Sequence, residues 1–294
     1  MTEALHALVT LPFLQQALLA SLAASLASGV MGSLVVTRRM AVAAGGLAHA
    51  VLGGMGLAYW LAAARGVAWV HPMHGAVVAA VGCALILAWV EARRNERLDT
   101  VISVLWAVGM AAGVLLLART PGYRADLMGY LLGNVLLVDP VALRWLLGLD
   151  LAAILIMLFF YNKIVAVSFD PAFARLRGLD VDRWSGLIMV LVALTVVSLV
   201  YVVGIVMVIA LLTIPAATAS RFATRLGAIM LLATALCVLA TTSGLVISYQ
   251  WDLPTGAVTV LVAAGLYVLA LVAAPLWRRR RGGDATGAAG PQNR

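Results

Sequence analysis

Residues 184–220 read WSGLIMVLVALTVVSLVYVVGIVMVIALLTIPAATAS, without one Asp, Glu, Lys or Arg. As a single helix at about 1.5 Å per residue this run would measure about 55 Å, nearly twice the roughly 30 Å apolar core of a bilayer. It must therefore break. Gly204 and Pro215 are the two positions where a helix interrupts most readily. A division near Tyr201–Gly204 yields two short crossings, and the number of crossings in the whole chain turns on that division.

The surrounding composition agrees. Of 294 residues, 64% are hydrophobic and 11% charged, and the mean hydropathy is +1.06. A soluble domain carries roughly 45–50% apolar and about 25% charged residues, and could not enclose this much apolar surface in one core. The same arithmetic excludes a disordered chain and a nucleic-acid-binding one, despite a net charge of +8. Other runs free of acidic and basic residues cover 4–37, 40–64, 66–90, 100–118, 127–138, 151–162, 226–251 and 253–277. The 127–138 run is too short to cross alone and reads as re-entrant or as a half-helix. The 151–162 run needs to extend back over Asp150 towards Arg144, which is placed to pair with that carboxylate.

Charge sets the orientation. With 184–220 divided, sixteen of the twenty basic residues fall on one side, among them Arg38, Arg39, Lys163 and Arg278–Arg281. Arg65, Arg119, Arg124 and Arg144 fall on the other. The richer side is cytoplasmic. The reading is an all-α, polytopic transmembrane bundle of eight or nine crossings, with the N-terminus outside and the C-terminus inside. Residues 1–281 form the membrane domain, and 282–294, small and polar, form a disordered tail. No positive n-region precedes the first apolar run, so no cleavable signal is expected. Cys83 and Cys237 lie inside apolar runs and read as packing thiols rather than a disulfide.

Chemistry is sparse. The chain has no GxxxxGK[ST] loop, so it does not hydrolyse ATP itself. Neither a Ser-His-Asp arrangement nor HExxH is present, which leaves transport or a structural role. His49 lies about 15 Å into its crossing, where an ionisable group is costly and becomes a functional candidate. Gly45, Gly46, Gly53 and Gly54 surround it, and suit either close helix packing or a lined passage. His71 and His74 share a helix face near the outer end of the next crossing, either as metal ligands of an outer vestibule or as interfacial histidines. On the cytoplasmic side, FDPAFARLRGLDVDRW (169–184) sets an N-cap, Asp170, before an N1 proline. A short helix over 172–177 follows and ends at Gly178.

Five stretches carry a family resemblance. They are VTRRMAVAAGGLAHAVLGGMGLAYWL (36–61), LDTVISVLWAVGMAAGVLLLARTPGYRADLMGYLLGNVLLV (98–138), the 169–184 segment, VVGIVMVIALLTIPAATA (202–219) and SYQWDLPTGA (248–257). In this order they resemble the membrane permease of bacterial zinc/manganese/iron ATP-binding-cassette importers, over about residues 12–276. That resemblance implies a permease homodimer embedded in membrane lipid, two separate cytoplasmic ATPase subunits and an outside metal-binding protein. It implies no permanently bound cofactor, only a transported divalent metal, for which zinc is expected. The segment holding Asp170, Phe173, Arg175, Leu176, Arg177 and Gly178 then becomes the element that docks on the ATPase. The histidine of the family's G-D-A-x-S-H-A-V-L-P-G stretch, thought to line the metal path, falls on His49. Gly45 stands where many members have Asp, and Gly53 where many have Pro. The competing readings are a secondary transporter driven by an ion gradient, for which Asp150 is the one intramembrane carboxylate, and a non-transporting scaffold.

Overall fold

The computed structural model describes residues 10–67, 69–93, 97–120, 138 and 140–286, with side chains up to 274. The 127–138 half-helix expectation falls almost wholly outside the described residues. The described residues form eleven helices, in order α1 (Pro12–Thr37), α2 (Ala41–Arg65), α3 (Pro72–Arg93), α4 (Leu98–Ala118), α5 (Pro140–Phe159), α6 (Tyr161–Phe169), α7 (Pro171–Leu176), α8 (Val181–Val203), α9 (Ile205–Ala219), α10 (Leu226–Trp251) and α11 (Thr255–Thr286). Among the described residues there is no strand. Among the described residues eight helices are long and apolar enough to cross a bilayer, and α9 is a shorter apolar helix. Every expected crossing within the described residues is present. The helix read as starting near Arg144 begins earlier, at Pro140, and α11 continues through Thr286, past the boundary drawn at 281.

Gly204 divides the long apolar run. Its φ of 87° and ψ of 157° lie in a region that is essentially glycine-only. Contacts at the helix ends show that the chain reverses there. Near the start of α8, Ser185 accepts a hydrogen bond from Arg38, just past the end of α1. Near the end of α8, Tyr201 meets the ring of His71, at the opposite end of the bundle. At the far end of α9, Ala216 and Ala219 pack with Val36 and Ile229, back at the Arg38 end. So α8 leaves that end and α9 returns to it. Pro215, the other candidate break, is absorbed within α9. A proline has no N–H for the carbonyl four residues earlier, and here the Cys237 thiol donates to that carbonyl, Leu211 O, at 3.6 Å. Cys83 and Cys237 are free thiols.

Lipid is as apolar as leucine, so helices in a membrane associate by close packing and polar contacts rather than by hydrophobic burial alone. α1 shows how. Its Ala17, Ala20, Ala24 and Ala27 are wholly enclosed, as are Ser25 and Ser28. Ser25 Oγ lies 2.9 Å from Thr241 Oγ1 of α10. α1 packs on α10 and α9, α2 on α4 and α3, and α8 on α3 and α5. The α2–α3 crossing is a backbone contact in which a Cβ on either Gly54 or Gly75 would strike the other's carbonyl oxygen.

Gly204→Ala should cost about 1–3 kcal/mol and lower the thermal midpoint of the detergent-solubilised protein. Gly45→Ala, whose new Cβ would meet Ile209 Cδ1 at an ordinary 3.6 Å, should leave that midpoint unchanged in fluorescence-detected melting.

Candidate functional site

His49 sits about a third of the way along α2, half-buried, where α2 meets α4. The helix fixes its ring through the turn below, with Nδ1 2.9 Å from the carbonyl oxygen of Gly45. A carbonyl only accepts, so the proton is assigned to Nδ1, and Nε2 has no hydrogen-bond partner among the described residues. Metal-ligating histidines usually carry this arrangement, in which the second ring nitrogen donates to a carbonyl or carboxylate and sets the tautomer. On its other side the imidazole stacks on Trp106 of α4, centroids 4.4 Å apart and planes at 29°.

The glycines around His49 divide by role. Cβ atoms on Gly53 or Gly54 would strike backbone of Gly109 or Gly75, and one on Gly46 would strike the Ile102 side chain. These three are packing positions that bring α2 against α3 and α4. Gly45 differs, because only Ile209 of α9 lies near, in ordinary contact. A side chain fits there, one turn before His49 on the same helix face.

His71 and His74 are placed differently. His71 is the residue before α3, and its Nδ1 accepts from the Met73 amide at 3.2 Å. His74 Nδ1 accepts from the His71 amide at 3.1 Å. Together they form a reciprocal capping box, built here from two imidazoles. Both Nδ1 lone pairs are thereby occupied and each proton sits on Nε2, the reverse of the His49 arrangement. Their rings rest on Tyr201 and Trp145. No group of three or more His, Cys, Asp or Glu able to hold a metal occurs among the described residues.

The cytoplasmic segment is ordered by its own polar groups. Asp170 Oδ1 accepts from the Phe173 amide at 2.9 Å and caps α7. Arg177 closes the helix over the Phe173 ring, and Gly178 turns the chain at φ 79°. α7 covers Pro171–Leu176, one residue earlier at each end than the sequence suggested. Ala174 buries against Val167 and Val181, whereas Phe173 is 49% and Leu176 86% exposed. Arg175 pairs with Asp182 at 3.1 Å. Above α7 lies a cavity of about 250 Å³ bounded by Arg38, Glu91, Pro171, Arg175, Asp182 and Ser185. Arg38 bonds Ser185 at 2.7 Å and pairs with Glu91 at 3.5 Å, linking the cytoplasmic ends of α1, α3 and α8. Burial lowers the pKa of its guanidinium, partly offset by Glu91, yet an arginine stays charged.

One expectation is corrected. Arg144 does not pair with Asp150. Six residues apart on α5 they face different directions, and Arg144 Nε instead donates to the Pro140 carbonyl at 3.2 Å. Asp150 is 3% exposed, and Ser198 of α8 lies 2.5 Å from its Oδ1. Sequence reasoning missed Ser198 and Trp106, because nothing in spacing along the chain relates residues 48 or 57 positions apart.

The profile of the ABC 3 transport family matches residues 10–274. An uncharacterized membrane protein of Synechocystis is 40% identical, with 92% of this chain and 94% of that protein aligned. A manganese transport system membrane protein of Halalkalibacterium halodurans is 34% identical, covering 93% and 94%. Among solved structures, PsaBC from Streptococcus pneumoniae in complex with Fab superposes with a TM-score of 0.81 at 28% identity, over 92% of this chain and 94% of that one.

If His74 is a cap, His74→Ala should lower stability by about 1 kcal/mol, and His74→Asn, which can accept the same bond, should recover most of it. Thermal melting of the three proteins checks this. Equal losses in both variants would remove the capping role.

Proposed function

This chain belongs to the ABC 3 transport family, and on that premise we propose that its cargo is zinc, passed along a path in which His49 is a ligand. The chain is a permease subunit of an ABC metal importer, a multi-pass protein of the bacterial inner membrane. ATP hydrolysis resides on a separate subunit, consistent with the missing phosphate-binding loop. The full assembly we propose has two copies of this permease, two ATPase subunits against α7, and an outside binding protein that delivers the metal.

One observation carries the zinc reading. The Nδ1–Gly45 bond leaves Nε2 of His49 without a partner among the described residues, and the position one turn below it is Gly45 rather than a carboxylate. Imidazole suits zinc, whereas carboxylate and water suit manganese. Relatives named for manganese transport leave the metal of this chain open, since the substitution falls on the residue that would supply the hard oxygen. The capping geometry of His71 and His74 supports an anchoring role at the outer end of α3 more than a ligand role, so we propose His49 as the principal ligand.

The coupling reading rests on α7. Its exposed Phe173 and Leu176 form an apolar knob on an otherwise charged cytoplasmic surface, and Arg38 ties the helix ends above it into one unit. A push on α7 would reach α1, α3 and α8 together.

His49→Ala should abolish zinc uptake into proteoliposomes without disturbing assembly with the ATPase, and Gly45→Asp should raise manganese uptake relative to zinc. Uptake of radiolabelled zinc at matched permease content decides this, and near-normal uptake by His49→Ala would make His49 a packing residue. Phe173→Pro, which removes the amide that Asp170 caps, should destabilise α7 by about 1 kcal/mol. Transport should stop while membrane insertion persists. An unchanged transport rate would end the coupling assignment.

A further inference from the structure

Asp150 lies at the middle of α5, about 15 Å from either end, enclosed by α8 and α1. We propose that Asp150 holds a proton in this state, and that the Asp150–Ser198 bond is a proton-dependent clamp between α5 and α8, the two membrane helices that flank the cytoplasmic α7. The clamp's part in transport rests on α7 being the coupling element. The bound proton does not.

The hydroxyl of Ser198 has one hydrogen and two acceptors within reach. Asp150 Oδ1 is 2.5 Å away and the Thr195 carbonyl oxygen 2.8 Å. With Asp150 ionised, Ser198 can serve only one of them. With Asp150 as the acid, its O–H donates to Ser198 Oγ and Ser198 donates to Thr195 O, so both bonds are made. Asp150 Oδ2 is buried without a partner, which a neutral carbonyl oxygen tolerates far better than half of a carboxylate does.

Among the described residues no cation offsets a charge here. α1 carries no charged or titratable residue. The charged residues of α8, Asp182 and Arg183, lie at its cytoplasmic end, and Tyr201 lies one turn outward of Ser198. From α6, Tyr161 and Lys163 are more than ten residues away, with Lys163 over the rings of Phe160 and Trp184. From α3, His74 meets α5 at Trp145, five residues outward. Arg144 is turned to Pro140 O. An intramembrane carboxyl in such surroundings ordinarily marks a site that takes up and gives off an ion. Loss of the proton to water leaves a carboxylate that takes the single Ser198 hydrogen from Thr195 O, and the uncompensated charge now buried between α5 and α8 loosens that seam by drawing water to it.

The test uses the permease assembled with its ATPase in lipid nanodiscs. The infrared difference spectrum of wild type minus Asp150→Asn should show, at neutral pH, the carbonyl stretch of a protonated carboxylic acid that shifts in D2O. A carboxylate band in its place overturns the bound proton. Should Asp150→Asn fail to assemble, the deuterium shift of that band in the wild type, and its loss as pH is raised, read the same proton without a variant. For the clamp, ATP hydrolysis by the wild-type assembly should fall as pH rises, by at most about tenfold per pH unit for one proton. Asp150→Asn, neutral and of the same shape, should give a flatter profile. Every other ionisable group is common to both proteins, so the difference between the profiles isolates Asp150. Superimposable profiles would overturn the clamp. The infrared measurement needs neither metal nor ATP, so a failed zinc or coupling assignment leaves it standing.

Discussion

A chain in hydrocarbon must satisfy every backbone amide and carbonyl from within itself, because lipid offers no partner. The rest of this structure depends on that constraint. It forces an all-helical chain, and it makes each interruption of a helix a place where replacement partners are needed. Gly204 lets α8 end and α9 begin with a single residue between them, the Gly204 amide bonding Val200 O and the Gly204 carbonyl receiving Val208 N–H. At Pro215 the freed carbonyl of Leu211 is met by the Cys237 thiol. The cysteine thus has a role in the backbone ledger of a neighbouring helix.

The same environment explains the residues at the helix crossings. With no hydrophobic gain between helices and lipid, contact area comes from backbone approach. The glycine-rich α2 therefore serves two ends at once. Gly46, Gly53 and Gly54 carry the packing on α3 and α4, and that rigidity holds His49 against Trp106. Gly45, one turn below, is the one member of the set free of packing duty, so a side chain there would leave the fold intact.

The polar groups that remain in the bundle are few and individually placed. His49 donates through Nδ1, His71 and His74 accept through theirs, and Asp150 bonds across a seam to Ser198. Three histidines of similar sequence setting therefore end in opposite tautomers. The difference arises from where each ring lies in its helix. Inside a helix the nearest backbone partner is a carbonyl one turn back, and at an N-terminus it is an orphan amide.

Composition and charge-free run lengths determined by themselves that this is a membrane bundle of eight or nine crossings, and the basic-residue bias supplied the expected orientation. Each follows from the transfer energetics of single side chains and needs no knowledge of neighbours. The turn at Gly204 and the capped helix after Asp170 were legible for the same reason, being local conformational preferences. Tertiary structure alone decided that Gly53 packs while Gly45 leaves room, that Trp106 covers His49, and that Asp150 meets Ser198 instead of Arg144. Those outcomes depend on which helix faces come together, and inside a membrane a face of Ala, Val and Leu turned to lipid looks the same in sequence as one turned to protein.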